Sequence, residues 1–161
     1  MSTIIVFGLM AVVLFVAAFL TKRRFGLLGL ALAAGSILSE IWNDSAGLIV
    51  SASGLVPEGP ITEAVTLSLL VLLPPVVLLF HGATYKNKLP RIGGALLFSL
   101  LALAFLVQPI GHALPLQGFG VEVYQWIDAN RIIIISVGIV LAVVDLFFTK
   151  PAHLSSHRKK H

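Results

Sequence analysis

The sequence predicts an all-α fold: a polytopic transmembrane helical bundle of five spans, with the N-terminus outside and the C-terminus cytoplasmic. Three observations predict it. Of the 161 residues, 58% are hydrophobic and only 11% charged, against about 25% charged in soluble domains. The apolar residues gather into five stretches that meet, or nearly meet, the roughly 17 to 25 residues needed to cross a hydrocarbon core about 30 Å thick. The basic residues cluster at alternate ends of those stretches.

The first stretch, residues 4–20, has no charge before it, the cluster Lys22-Arg23-Arg24 after it and no small-residue cleavage pattern at its end. It is expected to stay in the protein as a span, not to serve as a signal peptide. The second, residues 25–41, carries Gly29 and Ala33, and Ala31 and Gly35, at spacings of four. Small residues so placed form a helix edge that another backbone can approach closely, either within the bundle or on a second copy. Residues 45–56 mix small and apolar types and suit a short helix at the membrane interface. Val56-Pro57-Glu58-Gly59-Pro60 then turns the chain.

The third span, residues 61–80, contains Pro74 and Pro75. Each lacks an N–H, which leaves the carbonyls of Leu70 and Val71 without a helical donor and predicts a kink that serves packing ahead of gating. The fourth, residues 92–110, opens on Gly93-Gly94, a further small-residue packing site. Arg24-Phe25-Gly26 and Arg91-Ile92-Gly93 repeat an Arg-x-Gly pattern where two helices leave the basic side. Residues 119–129 place Tyr124 and Trp126 beside Glu122 and Asp128, the make-up of an interfacial anchor. The fifth span, residues 132–148, completes the bundle of residues 1–150. Residues 151–161 form a basic tail with three histidines, expected to be disordered and to hold anionic lipid headgroups.

Orientation follows from the charges. With Lys22, Arg23 and Arg24 inside, alternation also puts Lys86, Lys88, Arg91, Lys150, Arg158, Lys159 and Lys160 inside, leaving only Arg131 outside with Asp44, Glu58, Glu122 and Asp128. The sequence pI near 9.8 therefore reflects span ends and not a nucleic-acid-binding face. There is no cysteine, so disulfides and thiolate chemistry are excluded. No metal-ligand, phosphate-loop or nucleophile motif occurs, and neither an enzyme nor a cofactor or metal site is expected.

Ionisable residues near spans are the remaining candidates for function. Glu40 ends the second span, Glu63 lies in the first turn of the third, where the helix dipole favours a negative charge, and Asp145 lies near the inner surface within reach of its cations. On the outer side, Glu40, Glu63, His112 and Arg131 form a candidate polar pocket. The alternative is that acids at outer span ends are simply what charge asymmetry leaves behind.

In order, the basic turn Thr21-Lys22-Arg23-Arg24, the second span opening Phe25-Gly26-Leu27-Leu28-Gly29-Leu30, an outer segment ending at residues 57–60, a leucine-rich third span and Leu89-Pro90-Arg91-Ile92-Gly93-Gly94-Ala95-Leu96 make up residues 1–110. That architecture resembles the colicin V production protein family of bacterial inner-membrane proteins. The chain departs from it in lacking an acidic residue near the start of the first span and in adding the fifth. The resemblance implies a small non-enzymatic envelope protein concerned with secretion or envelope homeostasis, and it carries over no catalytic residue. The expected function is accordingly that of a structural or accessory protein working through helix assembly, as a homo-oligomer or with a membrane-protein partner. The alternative is a small transporter or channel lined by the proline-containing third span and the fourth, for which water access to those two helices is the discriminator.

Overall fold

The computed structural model describes residues 3–52, 59–80, 84–85, 88–111 and 119–148. These form six helices: α1 (Thr3–Thr21), α2 (Phe25–Ile41), α3 (Asn43–Ala52), α4 (Pro60–Phe80), α5 (Lys88–Gly111) and α6 (Phe119–Phe147). α4, α5 and residues Val121–Phe147 of α6 are long and apolar enough to cross a membrane, while α1 and α2 are shorter apolar helices. The chain is thus an all-α membrane protein. His112, the basic tail and residues 53–58 of the first outer segment lie outside the described residues.

Helix boundaries follow local chemistry. Pro60 opens α4, where a missing N–H costs nothing because the first helical donors have no partner anyway. Pro90 sits in the first turn of α5, so that helix begins four residues before the span expected at 92–110. Residues 119–129, expected as an interfacial anchor ahead of a span at 132–148, are the opening turns of α6, whose 29 residues extend about 43 Å, well beyond a hydrocarbon core. Tyr124 packs its ring 6.3 Å from that of Phe7 and lies against Gly111, while Trp126 alone of the pair is exposed.

α5 is the central helix. Its apolar window is 56% buried against 11% for α6, and it touches α1, α2, α4 and α6. Phe98, Leu101, Ala102, Phe105 and Leu106 of α5 meet Phe25, Leu28 and Leu32 of α2, with Ala18, Val71 and Ala142 closing the core. Ser99 is the buried polar side chain within it, and its hydroxyl donates to the Ala11 carbonyl of α1 at 2.9 Å. Hydrogen bonds between membrane helices average about 0.6 kcal/mol and rarely exceed about 1.7. Ser99→Ala should therefore lower the unfolding free energy in detergent by about 1 kcal/mol without changing oligomeric state.

The small residues on α2 are used within the bundle. Gly29 faces Ala142 of α6 and Leu101 of α5, and a Cβ on Gly35 would overlap the Val71 carbonyl of α4. Ala33 packs against the same core. Gly94 admits the ring of Tyr85. Gly93 does not belong to this set: a Cβ there would meet nothing within 4 Å. The two Arg-x-Gly patterns are consequently not equivalent, because Gly26 is wedged against Ala142 while Gly93 faces outward.

α4 stays helical through Pro74 and Pro75. Pro75 is buried in the core, and the Val71 carbonyl that it deprives of a donor is the one that Gly35 approaches. Proline on one helix and glycine on its neighbour thus act together, since a carbonyl without its N–H can accept a close Cα–H contact.

Candidate functional site

The end of the bundle where α2 finishes and α4 begins carries Glu40 and Glu63, and a cavity of about 800 Å³ opens there. Its walls are helical stripes. Ser36, Ser39, Glu40 and Asn43 recur at intervals of three and four, so the end of α2 and the start of α3 present one polar edge. Pro60, Glu63, Ala64, Leu67 and Val71 form the facing edge of α4, grading from polar at the helix start to apolar further in. Phe105, Gln108 and Pro109 of α5 and Arg131 of α6 complete the lining. From Pro60 to Val71 the wall runs about 16 Å along the helix, roughly half the thickness of a hydrocarbon core.

Arg131 enters because of its register. Arg131, Ile135, Gly138, Ala142 and Asp145 fall at spacings of four, three, four and three on α6. Gly138 meets Leu101 and Ala142 meets Gly29, so this is the face that packs on the bundle. The Arg131 Nε is buried and has no hydrogen-bond partner among the described residues. Glu40 and Glu63 are both exposed. Among the described residues neither is ion-paired to Arg131.

Three of the four residues anticipated for an outer polar pocket, Glu40, Glu63 and Arg131, therefore line one cavity. The fourth, His112, falls outside the described residues. Ser36, Ser39, Asn43 and Gln108 were not anticipated, although the polar spacing at the end of α2 is written in the sequence. A cavity with a guanidinium on one wall and two carboxylates at other helix ends can hold a ligand by charge and hydrogen bonds.

The opposite, basic end is closed by cross-helix capping. The Asp145 carboxylate of α6 accepts the Gly26 N–H at 2.9 Å, and the Tyr85 hydroxyl accepts the Phe25 N–H at 3.1 Å. Both are donors at the first turn of α2, whose own cap position, Arg24, offers no side-chain acceptor. Arg23 donates to the Leu79 and Phe80 carbonyls at 2.8 and 2.6 Å, capping the end of α4. Arg91 donates to the Phe19 carbonyl at 2.6 Å while its guanidinium lies 3.8 Å from the Phe19 ring centroid. Lys22, with φ of 58°, turns the chain after α1, and its carbonyl accepts the Tyr85 N–H at 2.8 Å. Besides the Arg24 guanidinium, which donates to its backbone carbonyl at 3.5 Å, Asp145 meets the α2 N-terminus, which carries partial positive charge of its own. Burial holds the Tyr85 phenol above its ordinary value of 10.0, with the charge of Asp145 and a hydrogen bond to it adding to the rise.

No family model matches the chain, and no curated protein and no solved structure matches it.

Proposed function

We propose that this chain is a five-span protein of a bacterial cytoplasmic membrane, with its N-terminus outside, that takes a small polar solute from the outer side into the cavity between α2, α4, α5 and α6. It belongs on this reading to the transporter class, performs no covalent chemistry and needs no cofactor. The observation that carries the reading is the cavity with charged groups of both signs, reaching from the acidic end to Val71 and Phe105. Ionisable groups facing a cavity in a membrane bundle mark solute and ion paths. A bundle built only to pack would gain stability by filling this volume with apolar side chains, because voids and buried unpartnered donors both cost free energy.

Pro75 and Pro109 supply the movable part. Each lacks the N–H that would donate to the carbonyl four residues earlier, at Val71 and at Phe105, and both of those residues line the cavity. Towards the basic end the bundle is filled by Leu28, Phe98 and Leu101, so passage requires α4 and α5 to move relative to α2. The second reading is the envelope accessory protein implied by the resemblance to the colicin V production family. The apolar outward faces of α4 and α6, including Leu69, Leu73, Val137 and Val140, favour it, since a partner helix can occupy the place of lipid there.

Single-cysteine labelling tests topology and water access together, because the chain contains no cysteine. Gly59→Cys should react in intact cells with an impermeant thiol reagent, and Lys88→Cys should react only after permeabilisation. Ser39→Cys should react with a small charged reagent from outside, whereas Ala102→Cys in the core should not react from either side. Protection of Ser39→Cys equal to that of Ala102→Cys would remove the solute reading and leave the accessory one.

A further inference from the structure

We infer that the cavity recognises a zwitterion bearing both a carboxylate and a primary ammonium, the chemistry shared by free amino acids and short peptides; this rests on the solute-binding reading above. Arg131 lines the cavity, and its Nε is buried with no hydrogen-bond partner among the described residues. Its planar fork of N–H donors suits a carboxylate held by two parallel hydrogen bonds. Glu40 and Glu63 line the same cavity from the end of α2 and the start of α4, and neither is ion-paired to Arg131 among the described residues. They remain available as acceptors for an ammonium group.

Ligands of one charge sign fit less well. A simple anion would gain Arg131 but meet two carboxylates, and a simple cation would gain those carboxylates but make no use of the guanidinium. A zwitterion satisfies both ends and adds no net charge to a site entering low-dielectric surroundings. Ser36, Ser39 and Gln108 supply further polar partners along the wall, while Leu67, Val71 and Phe105 give the deep end an apolar surface for a side chain. The volume of about 800 Å³ lies within the range of small-molecule sites, roughly 300 to 1,000 Å³, and leaves room for more than one residue.

The test is binding to the full chain in lipid nanodiscs, measured by calorimetry and by thermal stabilisation. The probes are L-alanine, the di- and tripeptides of alanine, propionate and ethylamine. At least one alanine compound should bind about tenfold or more tightly than propionate and ethylamine, the scale expected for a charge-assisted hydrogen bond. Preference for alanine identifies the free amino acid, and preference for the di- or tripeptide identifies short peptides. Arg131→Gln should remove most of that advantage, and Glu40→Gln with Glu63→Gln should do so from the ammonium side. Arg131→Lys, which keeps the charge and loses the fork, should fall between wild type and Arg131→Gln and guards against misfolding of the neutral variant. Propionate or ethylamine binding as tightly as the alanine compounds, or no binding by any probe, would overturn the zwitterion assignment. Ser39→Cys reacting with the small charged reagent in the same nanodiscs while Ala102→Cys stays protected keeps that failure separate from failure of the solute-binding reading.

Discussion

Gly35→Ala is expected to destabilise the bundle by about 3 kcal/mol, while the same substitution at Gly93 leaves it unchanged or slightly more stable. Helix propensity alone favours alanine over glycine by roughly 1 kcal/mol in a helix interior, so both changes should help if backbone preference decides. At Gly35 it does not decide, because a Cβ would overlap the backbone carbonyl of Val71. A backbone oxygen cannot swing aside as a side-chain end can, and overpacking costs about 1 to 3 kcal/mol or more when the structure has to spread. α2 and α4 would have to separate where Pro75 has already taken the helical donor from Val71. Gly93 faces open space and keeps the propensity gain. Thermal unfolding of both variants in one detergent checks the pair. A similar midpoint for the two would mean that the approach of α2 to the Val71 carbonyl carries no stability.

Much of this arrangement is written in the sequence, but unevenly. The bounds of α2, 25–41, follow from hydrophobic length and from the basic turn before it, and they match the helix. Residues 119–129 read as an interfacial anchor from Tyr124 and Trp126 beside Glu122 and Asp128, with the span starting only at 132. Helix formation depends on backbone hydrogen bonds and not on hydropathy, so the helix continues through them into Arg131. Gly29 and Gly93 look alike in the sequence, yet one is packed and the other bare, since which helix face meets a neighbour is decided by tertiary register.

The cavity was partly legible for the same reason. Topology alone gathers Glu40, Glu63 and Arg131 at one end. Ser36, Ser39 and Asn43 required following the helical spacing past Glu40, and Gln108 required knowing that the end of α5 faces α2 and α4. The two ends of the bundle also use charge differently. At the basic end Arg23, Arg91 and Asp145 are joined to helix termini, whereas at the acidic end Arg131 has a buried donor without a partner among the described residues. Charge that caps helices fixes geometry, and charge lining a cavity remains available to a ligand.

Removing the cap at the basic end is the second large effect expected. Asp145→Ala should cost about 2 kcal/mol. A hydrogen bond to a charged group contributes about 1.5 to 3 kcal/mol, and a negative charge at a helix N-terminus adds up to about 1 kcal/mol when exposed. Asp145→Asn keeps an acceptor oxygen for the Gly26 N–H but loses the charge, so it should retain about half of that stability. A second readout separates capping from general packing. Burial is the first cause of the raised Tyr85 pKa, but the charge and hydrogen bond of Asp145 also raise it, so Asp145→Ala should bring the phenol ionisation down towards 10.0. Because the folded-state value lies above the unfolded one, neutral Tyr85 stabilises the fold below the unfolded value, and that stability is lost as pH rises through the folded value. In Asp145→Ala the window between the unfolded and folded values narrows, so the alkaline fall in the melting temperature should be smaller, while tyrosinate absorbance should rise at lower pH, with Tyr85→Phe identifying the signal. A variant as stable as wild type, with an unshifted tyrosinate transition, would show that α2 holds its first turn without help from α6.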